Sequence, residues 1–227
     1  MTRGVFSYRY SMKKIFIGLS CALAFAPLLC ACSPKIDYYS HASEIRSDIF
    51  RAEEEDFTLT VSCVSREYPY VSDGVAAPKT NLVEISLATE LREEFSVYLL
   101  GETKIGGETS FRNTRGDYFY SEGVKQFPDT AVTVRVEWKD ESREFIATSV
   151  KNEQTLSPKD ALSKALAEEK ETLAAMTKNG QFEGEFYVRL LRRDKNYYYV
   201  GIVSKDASVI SLLLDGESGE VLARRES

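Results

Sequence analysis

Phe57-Thr58-Leu59-Thr60-Val61-Ser62-Cys63 alternates apolar with hydroxyl-bearing residues over its whole length. Successive side chains of a strand point to opposite faces, so this spacing predicts a β-strand with one wet and one buried face. The same period recurs downstream. Val83, Ile85 and Leu87 flank Glu84 and Ser86; Phe95, Val97 and Leu99 flank Ser96 and Tyr98; Val132, Val134, Val136 and Trp138 flank Thr133, Arg135 and Glu137. Shorter runs of strand character lie at 109–112, 118–120 and 145–150. Turn-forming residues separate the runs: Gly106-Gly107, Arg115-Gly116-Asp117, Pro128-Asp129 and Lys139-Asp140.

About seven half-buried strands close most simply as an antiparallel β-sandwich. The expected first domain is therefore an immunoglobulin-like sandwich over residues 57–150, with Trp138 in its core. The resemblance is one of pattern, since the Cys–Trp–Cys arrangement is absent. Cys63 shares the apolar face with Phe57, Leu59 and Val61, which predicts a buried, unreactive thiol.

The period changes after Lys151. Ser157 suits a helix N-cap, Pro158 the first helical position and Asp160 the first turn. Ala161, Leu162, Ala165, Leu166, Leu173 and Met176 form a stripe at helical spacing, and Asn179-Gly180 is the expected terminator. Strands are expected at 185–192, 197–204, 208–214 and 220–224. One helix before an antiparallel sheet makes a small α+β domain over 151–227, with the helix on one face.

Three segments of this region carry a resemblance. Ser157-Pro158-Lys159-Asp160-Ala161-Leu162, Tyr198-Tyr199-Val200-Gly201-Ile202-Val203 and Leu214-Asp215-Gly216-Glu217-Ser218-Gly219-Glu220-Val221-Leu222 resemble the PepSY family. That family pairs an Ala-Leu helix with a Tyr-x-Val strand and closes on an Asp-x-x-Ser/Thr-Gly-Glu-Val-Leu hairpin. The resemblance implies an extracytoplasmic, non-catalytic module acting on a peptidase or another cell-envelope protein. It implies no catalytic residue.

The start of the chain is of another kind. Lys13 and Lys14 precede an apolar run from Ile15 to Leu29, and Leu29-Cys30-Ala31-Cys32 follows. Charge, apolar run and small residue occur in the order of a signal peptide. The last four residues resemble a bacterial lipobox, and the whole arrangement resembles lipoproteins of Gram-positive bacteria. The resemblance implies a signal peptide over 1–31, cleavage before Cys32 and lipid on its sulfur. The protein would then be held on the extracytoplasmic face of the cell membrane. Met12 is a second candidate start, because Met12-Lys13-Lys14 is a complete n-region. Residues 32–56 are expected to be the lipidated cysteine and a polar tether, with a short helix around Ile45 and Ile49 and an acidic lead-in at Glu53-Glu54-Glu55-Asp56.

Composition narrows the function. Loss of the leader removes Arg3, Arg9, Lys13 and Lys14 but no acidic residue, which takes the formal charge from −6 to −10. Such a charge disfavours nucleic acid as a partner. The single histidine, His41, lies in the expected tether, away from any base or metal-ligand role. Asp215, Glu217 and Glu220 lack EF-hand spacing and suit a hairpin turn. Arg115-Gly116-Asp117 reads as a turn, with an adhesion tripeptide as the alternative. We therefore expect no catalytic residue, metal or cofactor. The candidate binding residues are Tyr187, Arg189, Tyr197 and Tyr199, which alternate with the expected helix-facing set. Tyrosine and arginine are enriched in contact surfaces, and the other reading is that this face packs on the sandwich. A solute- or glycan-binding role, or a carboxylate-based hydrolase, are the alternatives to a regulatory binding protein.

Overall fold

The computed structural model describes residues 36–67, 77–101, 105–129 and 131–227, of which Asp37–Ser227 belong to one compact unit. The expected signal peptide and Cys32 lie outside the described residues, as does Ser72-Asp73-Gly74, whose residue types predict a turn. After a 3-10 turn at Tyr38–His41 come β1 (Ala42–Glu54), β2 (Phe57–Glu67), β3 (Lys79–Thr89), β4 (Phe95–Leu100) and β5 (Ile105–Glu108). They are followed by β6 (Ser110–Arg112), β7 (Asp117–Gly123), β8 (Val132–Trp138) and β9 (Glu141–Ser149). Strands β1-β2-β3-β7-β6 form one antiparallel layer and β5-β4-β8-β9 the other. Strand β9 also pairs with β1 at Phe50–Ser149 and Arg51–Thr148, which closes one side.

The alternation explains the layers. Leu59, Val61 and Cys63 of β2, Val83, Ile85 and Leu87 of β3, and Val134 and Val136 of β8 are all buried in one core. Phe57 anchors its aromatic end, with ring centroids 5.3 Å from Trp138 and 5.6 Å from Phe145. Each such side chain contributes roughly 1.5–3 kcal/mol when removed from water. The fold is mostly antiparallel β-sheet, as the sequence predicts.

The expected tether is corrected. Residues 42–54 are neither tether nor helix but a 13-residue strand in the middle of the main sheet. Strand β1 pairs antiparallel with β2, and a register shift between Arg46 and Asp48 marks a bulge at Ser47. The bulge breaks the period: Ile45 and Phe50 both face inward although five residues apart, and Arg46, Ile49 and Arg51 all face outward. A one-residue insertion in a strand has this effect.

The C-terminal region holds α1 (Pro158–Glu168), α2 (Lys170–Ala175) and a small hairpin of β10 (Thr177–Lys178) and β11 (Gln181–Phe182). The meander β12 (Gly184–Arg192), β13 (Asn196–Ser204), β14 (Val209–Asp215) and β15 (Val221–Glu226) follows. Ser157 Oγ accepts from Asp160 N at 3.1 Å, the N-cap expected. Helix α1 buries Ala161, Leu162 and Ala165 on the face of the sheet that carries Val188, Tyr198, Val200 and Leu212.

Two details differ from the expected single helix. It breaks at Glu169, whose backbone leaves the helical region as its carboxylate takes Arg224 Nε at 2.7 Å. Asn179-Gly180 then forms the tip of the β10–β11 hairpin, not a helix terminator. Both residues have positive φ, 52° and 76°, as a two-residue hairpin turn of this kind requires.

Strand β1 joins the two regions. Its first half pairs in parallel with β12, Ile45 opposite Val188 and Arg46 opposite Arg189. One continuous sheet thus runs β15-β14-β13-β12-β1-β2-β3-β7-β6, and residue 150, the expected domain boundary, lies inside the compact unit. Helix α1 and the β5-β4-β8-β9 layer stack on the same face of this sheet. The opposite, outer face carries the candidate site.

Candidate functional site: the outer face of the sheet

Tyr187 and Arg189 on β12 and Tyr197 and Tyr199 on β13 alternate with buried Val188, Tyr198 and Val200. Their parity puts all four on the outer face, where each is half-buried. The face does not pack on the sandwich, because the two regions lie side by side in one sheet. Arg189 pairs with Tyr199 across the β12–β13 ladder, and Tyr187 with Gly201.

Arg189 is held at the centre of the group. Its Nε and Nη2 donate to Glu44 Oε1 and Oε2 at 2.7 and 2.8 Å. Its guanidinium carbon lies 4.8 Å from the Tyr187 ring centroid and 5.5 Å from that of Tyr199, within cation–π range. Tyr187 and Tyr199 also cover Gly201: a Cβ there would meet Tyr187 Cδ2 and Tyr199 Oη, each at 3.1 Å. Tyr199 Oη lies 3.0 Å from Ser211 Oγ. Tyr197 Oη donates to Asp194 Oδ1 at 3.0 Å; that bond holds the Asp194 carboxyl below its ordinary range, while burial and Asp194 raise the Tyr197 phenol. Arg189 therefore shapes the surface from within, and the three tyrosine rings present it.

The same face continues across β1 onto β2, β3 and β7. There Arg46 and Arg51 of β1 meet Arg112 and Arg115 from the β6–β7 hairpin and Arg192 and Arg193 from the end of β12. The six arginines surround a concavity of about 310 Å³ floored by Thr60, Ser62 and Ser86. Sequence reasoning missed this group. The signal for it was outward parity of Arg46, Arg51 and Arg112 on two separate strands, and on β1 the Ser47 bulge hides that parity.

The remaining candidates are structural. Asp117 of the Arg-Gly-Asp tripeptide accepts from Arg112 Nε and Nη2 at 2.8 and 2.5 Å, and Gly116 takes the positive φ of the turn. Asp215 accepts from the backbone N–H groups of Glu217 and Ser218 and pairs with Lys195 Nζ at 2.5 Å, so it organises a hairpin. Cys63 is 1% exposed, and burial, with Asp48 adding to it, pushes its thiol up to about 12. Among the described residues no group of three or more His, Cys, Asp or Glu side chains is placed to hold a metal ion. No described helix is long and apolar enough to cross a membrane. No family model, curated protein or solved structure matches the chain.

Proposed function

We propose that the protein is a lipid-anchored, extracytoplasmic, non-catalytic binding protein whose Tyr187–Tyr197–Tyr199 surface contacts a cell-envelope protein, a peptidase being the class the PepSY-like segments imply. In this reading Cys32 bears the anchor. Residues 57–150 serve as an immunoglobulin-like sandwich and 151–227 as a PepSY-like module fused to it through β1. The lipobox residues support the anchor. The α1-on-meander arrangement of 157–226 supports the module.

The observation that carries the reading is the tyrosine group itself: three half-buried rings, two of them fixed around Arg189, on a sheet face with no described helix or sheet stacked on it. Rigid aromatic side chains give contact area at low entropic cost. The test is crosslinking capture from intact cells with wild type and a Tyr187→Ala/Tyr197→Ala/Tyr199→Ala variant. Arg189 is kept, because its loss would strand Glu44. The reading expects lost capture with an intact melt; unchanged capture by the folded variant overturns it.

A solute- or glycan-binding role has one observation in its favour. An open concavity of about 920 Å³ at the end of the sandwich is bordered by Phe111, Tyr118, Arg92 and Lys139. Phe111 is 38% exposed, with the Arg92 guanidinium 4.9 Å from its ring centroid. Glycan-array binding that Phe111→Ala removes would favour this second reading.

A further inference from the structure

We propose that the concavity ringed by Arg46, Arg51, Arg112, Arg115, Arg192 and Arg193 binds a phosphate ester. The site lies outside the tyrosine group and stands whether or not that group binds a protein.

Charge is the first argument. The chain as a whole is acidic, yet six arginines and only two carboxylates, Glu84 and Asp117, line this hollow. Both carboxylates are already engaged: Asp117 with Arg112, and Glu84 with Arg66 Nη1 at 3.2 Å. Arg51 is paired with Glu53. Among the described residues Arg46, Arg115 and Arg193 form no ion pair, so arginines outnumber the carboxylates that line the hollow six to two.

Unmet hydrogen bonding is the second. Arg46 Nε and Arg51 Nε are buried with no hydrogen-bond partner among the described residues, and both residues line the hollow. A buried donor without an acceptor is destabilising, more so when charged. Burial holds the Arg46 pKa below its ordinary value against the pull of Glu84 and Glu44, and Arg189 and Arg115 push it the same way as burial. The Ser47 bulge is what turns Arg46 outward into this position. A strand distorted to gather like charges and N–H donors in one hollow suits an anion.

Shape selects the ligand class. The guanidinium groups come from three directions: the middle of β1, the β6–β7 hairpin and the β12–β13 turn. One planar carboxylate is satisfied by a single fork, whereas a phosphate monoester carries about two charges and three acceptor oxygens. Thr60 and Ser62 add hydroxyl donors below. At about 310 Å³ the hollow falls at the small end of the usual range of ligand pockets, roughly 300–1,000 Å³. It has room for an esterified group beyond the phosphate. Arg192 and Arg193 also border an adjoining concavity of about 510 Å³ into which that group can extend.

The experiment is calorimetry and thermal melting of the purified protein at low salt with glycerol phosphate, inorganic phosphate and acetate. Saturable binding of glycerol phosphate is expected, weakened by salt and accompanied by a higher melting temperature; acetate should do neither. Arg46→Gln should weaken binding about tenfold or more. Because Arg46 is largely buried, Arg115→Gln/Arg193→Gln serves as the second variant. Both of its positions are exposed, and it should melt like the wild type while losing affinity to the same extent. A Tyr187→Ala/Tyr197→Ala/Tyr199→Ala protein should bind glycerol phosphate normally, which separates this site from the proposed protein-contact surface. Vesicles containing phosphatidic acid, a lipid phosphate monoester, distinguish the source: capture competed by glycerol phosphate assigns a lipid headgroup, and binding of the soluble ester without capture assigns a free one. Absence of saturable binding to either phosphate probe, or full affinity in the double variant, overturns the proposal.

Discussion

Arg189 and Glu44 form a two-pronged ion pair across the parallel seam between β12 and β1, with residues 145 apart in sequence brought within 2.7 Å. Glu44 is 6% exposed, so its carboxylate depends on this partner. Taking away one member of a buried pair costs more than the pair contributes, because the other is left charged and unpaired. Arg189→Ala should destabilise the protein by about 2–3 kcal/mol. The double change Arg189→Ala/Glu44→Ala should cost less than the sum of the singles. Denaturant unfolding of the four proteins in the cycle measures this; strict additivity would show that the pair does not couple the seam.

The Asp215 hairpin gives a dependence on pH. Lys195, then the Ser218 and Glu217 backbone N–H groups, hold the Asp215 carboxyl well below its ordinary value of 3.8. A folded pKa below the unfolded one contributes stability that is whole above about pH 4 and is lost as pH falls toward the folded value. Asp215→Asn should therefore lower the melting temperature at pH 6, and the gap from wild type should narrow below pH 4. A gap that stays constant through that range would assign the effect to shape alone.

Cys63 should resist a polar thiol reagent at pH 8 in the native protein and react on unfolding, because its thiol is buried and raised to about 12. Cys63→Ala should cost about 1–2 kcal/mol for the small cavity left behind. Rapid labelling of the folded protein would place the sulfur in an opening of the core.

Gly201 bears on the tyrosine group directly. Its absent Cβ leaves room for the Tyr187 and Tyr199 rings. Gly201→Ala should displace both at a cost of about 1 kcal/mol, since side chains and not backbone must give way. The proposed reading then requires weaker partner capture from a folded protein, read by the same crosslinking assay alongside a melt.

The parts legible in sequence are those where one rule acts alone. Leu59, Val61, Val83, Ile85, Val134 and Val136 alternate without interruption, so their strands can be read directly. Ser157-Pro158 likewise marks the start of α1. The helix end was hidden because Glu169 leaves the helix for a residue 55 positions away. Strand β1 was hidden because its bulge breaks the period and its outward Glu44 and Arg46 mimic a solvated segment. Tyr187, Arg189, Tyr197 and Tyr199 stood out because they alternate on two adjacent strands. The arginine ring did not, because pairing register, not local pattern, brings residues 46, 112 and 193 together.

The early onset of β1 sets the reach of the molecule. Only ten peptide steps separate Cys32 from Ala42, the first residue of the strand. Fully extended, they span no more than about 35 Å. A lipid on Cys32 would therefore moor the sheet on a short leash. With that lipid in place, the first residue of β1 could stand no farther than this from the anchored sulfur.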